Sequence, residues 1–235
     1  PQGSCRACMV EVEANGRKMT VASCTTPPMA DAEVTTNSKE VQDLRRNVIE
    51  LLMTEHPHGC LTCHRIELCG PQDICQRHVT VTDRCTICPK NERCELKDTV
   101  RLVELDLRTP LNYHRRDLPI HSDDPFYDRD YNLCIVCSRC VRVCDEVRFD
   151  TALTLTSRSG VALVGTSHGT SLLESGCEFC GACVDVCPTG SLTERNYKWE
   201  KAVKEVTTVC TNCPVGCQMI AEVNKFGKVV RFKAD

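Results

Sequence analysis
The chain has 235 residues, a formal net charge of −3 and 21 cysteines, and only 4% of its residues are aromatic. So small a net charge implies neither a nucleic acid nor an acidic membrane surface as partner, and no apolar run reaches the ~18 residues a membrane span requires. The cysteines are odd in number and stand in tight C-x2-C groups, a spacing that converges on metal more readily than it builds a disulfide scaffold.

Cys5 and Cys8 open the chain as C-x2-C, followed by an apolar-alternating run from Met9 to Ala14, Asn15-Gly16, and a second such run to Cys24. Asn-Gly between two alternating runs predicts a β-hairpin. A plant-type [2Fe–2S] site takes one cysteine upstream of such a pair and a remote one downstream, so Cys5, Cys8 and Cys24 supply three of four ligands and the fourth is expected just before Pro1. The phrase Gly3-Ser4-Cys5-Arg6-Ala7-Cys8-Met9-Val10-Glu11-Val12-Glu13 resembles the [2Fe–2S] domain of the large iron–sulfur subunit of complex I and of its relatives among formate dehydrogenases and hydrogenases. That resemblance implies a partial β-grasp domain over residues 1–37.

Ser38 is an N-cap for a helix running to about Glu55, with Val41, Leu44, Val48, Leu51 and Leu52 on one face. The helix leads to His56-x3-Cys60-x2-Cys63-x5-Cys69, which resembles the [4Fe–4S] site ligated by one histidine and three cysteines in the same family. An imidazole in place of one thiolate leaves a cluster less negative and raises its potential. His58 is the competing ligand. Cys75, Cys85, Cys88 and Cys94 follow, and their last three repeat the x2, x5 spacing. The segment from Cys88 to Asp98 itself resembles the end of the histidine-ligated motif. Three readings of this stretch stay open: an added [4Fe–4S] cluster on Cys75, Cys85, Cys88 and Cys94; a structural zinc on the same four thiolates; or one rearranged cluster using His56, Cys60, Cys88 and Cys94. Residues 38–98 form this small helical unit.

Residues 99–124 lack cysteine and read as a connector, with Pro110, Pro119 and Asp123-Asp124 as punctuation and Arg115-Arg116 as a solvated turn. His114, His121 and His168 read as loop histidines. Residues 125–198 carry two copies of C-x2-C-x2-C-x3-C, the second followed by Pro188, which is the signature of a bacterial two-cluster ferredoxin. Each fourth cysteine then serves the other copy's cluster, giving Cys134, Cys137, Cys140 and Cys187 for one cubane and Cys144, Cys177, Cys180 and Cys183 for the other. The run from Arg129 to Cys144 resembles that of formate dehydrogenases and iron hydrogenases. Val141, Val143, Val184 and Val186 are expected to screen the clusters. A hairpin is expected around Val161 to Thr166, with Gly160, Gly165 and Gly169 as turn residues.

In the tail, residues 199–235, Cys210-x2-Cys213-x3-Cys217 resembles the opening of the molybdopterin oxidoreductase fold, where a [4Fe–4S] cluster lies beside a bis-pterin molybdenum or tungsten centre. Two strands are expected, Met219 to Val223 and Val229 to Phe232. Every cysteine is thereby assigned, and none of these residues is read as a substrate acid, base or nucleophile. The resemblance implies an α+β, multi-domain iron–sulfur protein: the electron-relay portion of a formate dehydrogenase whose catalytic domain lies downstream. Electrons would run between the Cys210 cluster, the ferredoxin pair, the His56 site and the [2Fe–2S] site, towards NADH- or ferredoxin-linked flavin or iron–sulfur partner subunits. It implies a cytoplasmic location, with any membrane association through partners. The alternatives are the large iron–sulfur subunit of a complex I-like NADH–quinone oxidoreductase and an iron hydrogenase subunit.

Overall fold
Asn15 (φ 53°) and Gly16 (φ 70°) both occupy the left-handed region, as the tight turn between two strands of this twist demands. They join β1 (Met9–Ala14) to β2 (Arg17–Ala22), paired from Met9↔Ala22 to Ala14↔Arg17. A short third strand, β3 (Glu33–Thr35), pairs with the other edge of β1 and has no counterpart in the sequence reading. The computed structural model describes residues 2–56, 60–61, 63, 65, 68–69, 85, 88–105, 109–114, 116–158, 161–167 and 169–234, so Cys75, His58, Arg115, Gly160 and His168 lie outside the described residues.

Helix α1 (Lys39–Met53) starts where Ser38 Oγ accepts the Val41 N–H at 3.3 Å. Its buried face is Val41, Ile49 and Met53, not the stripe expected from apolarity: Leu44 is 37% and Leu51 60% exposed. The reason is Arg45, which lies four residues after Val41 and four before Ile49. Its guanidinium donates to the Met9 carbonyl at 2.7 and 3.1 Å and to the Thr36 carbonyl at 2.9 Å, tying the helix to β1. A polar anchor therefore rotates the helix away from its most hydrophobic side.

Helix α2 (Glu95–Leu102) occupies part of what the sequence suggests is connector. Leu96 and Val100 pack on Ile49, Met53 and Leu61. Arg116, expected in a solvated turn, is instead held by the fold. It donates to the carbonyls of Tyr131 (3.2 Å) and Cys134 (2.7 Å) and pairs with Glu55 at 2.5 Å.

The ferredoxin-like module is built on a three-stranded antiparallel sheet in the order β4 (Ile120–His121), β5 (Tyr127–Asp130), β8 (Leu192–Glu194). Two one-turn helices, α3 (Arg139–Arg142) and α4 (Ala182–Asp185), follow the cysteine loops, and α3 continues into a π-helical turn over Val143–Val147. The expected hairpin exists as β6 (Leu153–Arg158) and β7 (Val161–Thr166), but Gly165 lies within β7 opposite Thr154 rather than in a turn. Gly169, at φ 69°, does turn the chain. In the tail, β10 (Gln218–Val223) and β11 (Val229–Ala234) are joined by β9 (Lys204–Val209), a strand the sequence pattern does not announce. Among the described residues no helix is long and apolar enough to cross a membrane.

Asp124 is a second departure from the connector reading. It is 2% exposed, accepts from Arg129 Nε at 2.9 Å through one carboxylate oxygen and from the Leu172 N–H at 2.8 Å through the other. Arg129, itself 3% exposed, also reaches the Tyr131 hydroxyl at 3.3 Å. Removing one partner of a buried ion pair strands the other, so Asp124→Ala should destabilise the protein by about 3–5 kcal/mol. A urea midpoint followed by circular dichroism reads this. A shift below about 1 kcal/mol would show that the pair is dispensable.

Candidate cluster-binding sites
The two ferredoxin loops share one backbone solution. Val136 (φ 52°) and Ser138 (φ 56°) bracket Cys137, and Phe179 (φ 54°) and Gly181 (φ 80°) bracket Cys180, so equivalent positions of the two repeats are left-handed. Holding a β-branched valine there costs on the order of 1–3 kcal/mol, and such strain collects at ligand clamps. In return the loops turn inward: the Val136 N–H donates to Cys134 Sγ at 3.3 Å and the Phe179 N–H to Cys177 Sγ at 3.3 Å. Tyr127 fastens the second loop by donating its hydroxyl to the Phe179 carbonyl at 2.7 Å.

The grouping of the thiols is visible in their mutual influence. Burial raises the pKa of Cys140 first, and the nearby Cys187 and Cys134 raise it further. Cys187 likewise acts on Cys134 and Cys137. Cys183 is pushed up to about 12 by burial and then by Cys177, Cys180 and Cys144. Cys134, Cys137 and Cys140 thus lie near Cys187 of the other loop, and Cys177 and Cys183 near Cys144. Crowded, buried thiols that resist ionisation singly are suited to a shared cationic iron core, which reverses that electrostatic penalty.

A second site lies in a cavity of ≈ 310 Å³ lined by His56, Cys85, Cys88, Cys94, Leu133 and Gly190, among others. His56 is 5% exposed and its Nδ1 is buried without a hydrogen-bond partner. Burial, and then the neighbouring Arg116 charge, hold its pKa down to about 4, leaving a neutral imidazole with a lone pair to offer. Cys88 is raised to about 11, chiefly by burial, while a hydrogen bond from the Lys90 backbone favours its thiolate. Cys94 Sγ accepts the Lys97 N–H at 3.4 Å and caps α2. Cys60 meets Cys85 thiol to thiol. Cys63 and Cys69 are half-buried and do not line this cavity. Among the described residues no three His, Cys, Asp or Glu side chains close on a single-ion site, and the expected zinc set includes Cys75, outside them.

Two residues missed in the sequence hold this site against the ferredoxin module. Lys90 is 4% exposed and its ammonium donates to the carbonyls of Val184 and Cys187, each at 3.2 Å. Gly190 is the point of closest approach, where a Cβ would collide with Cys88 Sγ. A glycine two residues after Cys-Pro was the available signal for the second; a lysine between two ligand candidates gave none for the first.

At the two ends, Cys8 lies beside Cys24, whose backbone and thiol hydrogen-bond it, and its carbonyl accepts the Ser23 N–H at 3.1 Å. Cys5 is exposed nearby and acts on Arg139 of α3. Gln2 contacts Ser138, so this loop abuts the first ferredoxin loop. In the tail, the Cys210 N–H donates to the Cys217 carbonyl at 2.8 Å, and both residues share a ≈ 530 Å³ cavity with Cys180. Cys213 is exposed.

Residues 124–193 match the family model described as NADH-quinone oxidoreductase subunit 3, ferredoxin-like domain, and residues 45–80 match the NADH-ubiquinone oxidoreductase-G iron-sulfur binding region. Over its full length the chain is 31% identical to the NADPH-Fe(3+) oxidoreductase subunit alpha of Geobacter sulfurreducens, of which it spans 24%. Over 84% of its length it is 34% identical to the NADP-reducing hydrogenase subunit HndD of Solidesulfovibrio fructosivorans, spanning 29% of that protein. It is 30% identical over its full length to an NADH-quinone oxidoreductase subunit of Rhizobium meliloti, spanning 24%. The chain therefore spans about a quarter of the length of these curated relatives. Its fold is similar to that of a chain in the crystal structure of NAD+-reducing [NiFe]-hydrogenase in the H2-reduced state, with a TM-score of 0.60, 24% identity and coverage of 83% of this chain and 70% of that one. From end to end the chain is thus similar to part of the large iron–sulfur subunits of the complex I-related group.

Proposed function
We propose that this chain is an electron relay, holding a series of iron–sulfur clusters that connect a pyridine-nucleotide- or ferredoxin-linked partner to a redox module downstream. One observation carries the reading: the candidate sites are contiguous. The His56 cavity abuts the Cys187 loop through Gly190 and Lys90, and the Cys180 loop shares a cavity with Cys210 and Cys217. When bound, the clusters supply one-electron chemistry over a wide range of potentials. The protein's own part is to ligate and to tune. Backbone N–H groups donate to Cys94, Cys134 and Cys177 sulfur. Val184, 8% exposed, and the half-buried Val141 shield the ferredoxin core from water.

For the terminal chemistry we propose formate oxidation at a molybdenum or tungsten bis-pterin centre in a downstream domain, with NAD+ or ferredoxin reduced through partner subunits in the cytoplasm. The support is the Cys210-x2-Cys213-x3-Cys217 motif leading directly into β10, together with a full set of eight ferredoxin cysteines. A second reading, part of an NADH–quinone oxidoreductase or of a hydrogenase, is favoured by the names of the relatives. Anaerobic titration of the intact complex separates them. Formate should bleach the broad visible absorption and produce several cubane EPR signals; reduction by NADH or hydrogen but never by formate would transfer the assignment to the second reading.

His56→Cys should retain a cluster but make it more negative, lowering its midpoint potential, where ~59 mV corresponds to a tenfold change in a one-electron equilibrium. An unchanged set of midpoints would remove His56 from the ligands. Lys90→Met should also lower the potential of the cluster at Cys187 by some tens of millivolts, because a buried positive charge beside it is lost. An unaltered redox titration of this variant would show that the ammonium is only a structural tie.

A further inference from the structure
The sequence offers two C-x2-C-x5-C groups to one histidine, and the same hydrogen bond closes the first cysteine pair of each. The Cys63 N–H donates to the Cys60 carbonyl at 3.0 Å, and the Cys88 N–H to the Cys85 carbonyl at 2.9 Å. Local geometry therefore does not choose between them; their placement does. The second group lies outside both matched family regions, which end at residue 80 and begin again at 124.

We propose that the histidine-ligated cubane is held by His56, Cys85, Cys88 and Cys94, so that the second cysteine group, rather than Cys60, Cys63 and Cys69, completes the site. All four line one cavity, which neither Cys63 nor Cys69 reaches. Two of the proposed ligands lie at the depth of His56, which is 5% exposed: Cys85 is 9% and Cys94 5% exposed, while Cys88 is half-buried, as are Cys60, Cys63 and Cys69. The His56 imidazole, with Nδ1 buried and unpartnered, supplies the nitrogen. Cys88 is held from behind by Gly190, and its loop by the Lys90 tie to the Val184 and Cys187 carbonyls. Cys94 is fixed as the cap of α2, whose Glu95 N–H is itself bonded to the Pro188 carbonyl at 3.0 Å. The anchoring that positions ligands is thus built around the second group.

Chemically, transfer of a preformed iron–sulfide core from a thiolate carrier would break its four iron–carrier bonds and form one iron–nitrogen and three iron–sulfur bonds here, the departing carrier thiolates taking up the protons released. Three thiol protons are released and none from the imidazole, which binds as the neutral base. Cys60, thiol to thiol with Cys85, and Cys63 and Cys69, which do not line the cavity, would then not be among its ligands.

This assignment rests on the relay reading and is tested on the anaerobically purified full-length protein carrying 15N-histidine, reduced with dithionite, by pulsed EPR. The wild type should show one cubane signal coupled to histidine nitrogen. In Cys63→Ala/Cys69→Ala that coupling should persist unchanged, and in Cys85→Ala/Cys88→Ala it should vanish while the ferredoxin-type signals stay. Loss of the coupling in the first double variant, or its survival in the second, overturns the assignment. Cys85 is buried and its removal can disrupt folding, so the first double variant tests the choice of group on half-buried thiols only, and Cys60→Ala, in which the coupling should also persist, separates Cys85 from Cys60; loss of the coupling there overturns the assignment. A wild type without any reducible cluster would overturn the relay itself, whereas coupling that follows Cys63 and Cys69 would overturn this ligand choice only.

Discussion

The ammonium of Lys90, sealed from water and shared between the carbonyls of Val184 and Cys187, joins the Cys88–Cys94 loop to the ferredoxin-like module. A charge placed at that depth is tolerable only while both acceptors hold it, since losing them strands it at a penalty of several kcal/mol. The contact therefore resists separation of the Cys88–Cys94 loop from the end of α4. Around it cluster the Glu95 to Pro188 backbone hydrogen bond, the close approach at Gly190 and the exposed Arg139–Glu95 pair at 2.7 Å. Electron transfer depends steeply on separation, so an arrangement in which the spacing is set by backbone contacts and a buried ion suits a relay better than one set by surface salt bridges alone.

A second junction repeats the theme with carboxylates. Glu194, at the end of β8, accepts from Arg93 at 3.0 Å and from Arg231 at 2.7 Å. Arg231 also bonds Glu222 at 2.6 Å across β10 and β11. One half-buried side chain thereby connects the Cys88–Cys94 loop, the ferredoxin sheet and the tail sheet. Its pKa is held below the usual carboxylate range: burial opposes ionisation, but its own backbone hydrogen bond and the two guanidiniums outweigh it. The sign follows directly. The unfolded carboxylate has the higher pKa, so the stabilisation is present above that value and is lost as pH falls through the folded one.

Strain and tuning are linked in the cysteine loops. The left-handed residues at Val136 and Phe179 point successive N–H groups at the sulfurs, and the same conformations recur in both repeats although only one of the four positions is glycine. Backbone torsion that unbound loops would relax is compensated once thiolates accept those hydrogen bonds and bind iron. Apo protein is accordingly a poor guide to the stability of the loaded one.

Local rules made much of this legible in advance. Cysteine spacing identifies each loop because three ligands within one short turn are a local matter, and the Asn15-Gly16 hairpin and the Ser38 cap follow from φ preferences and side-chain reach. The short strands β3, β4, β5, β8 and β9 escaped because a strand of two to six residues draws its identity from the partner it pairs with. Arg45 turned α1 off its apolar stripe, and Asp124 and Arg116 became buried struts, because each bonds to groups distant in sequence, or to backbone that only the folded chain presents. The choice of thiols facing His56 belongs to the same class. The two C-x2-C-x5-C groups are alike in spacing, so the sequence alone offers both of them to His56. Only the tertiary structure sets Cys85, Cys88 and Cys94 around the cavity that His56 lines, through Lys90, Gly190 and the cap of α2, contacts that pattern and propensity do not encode.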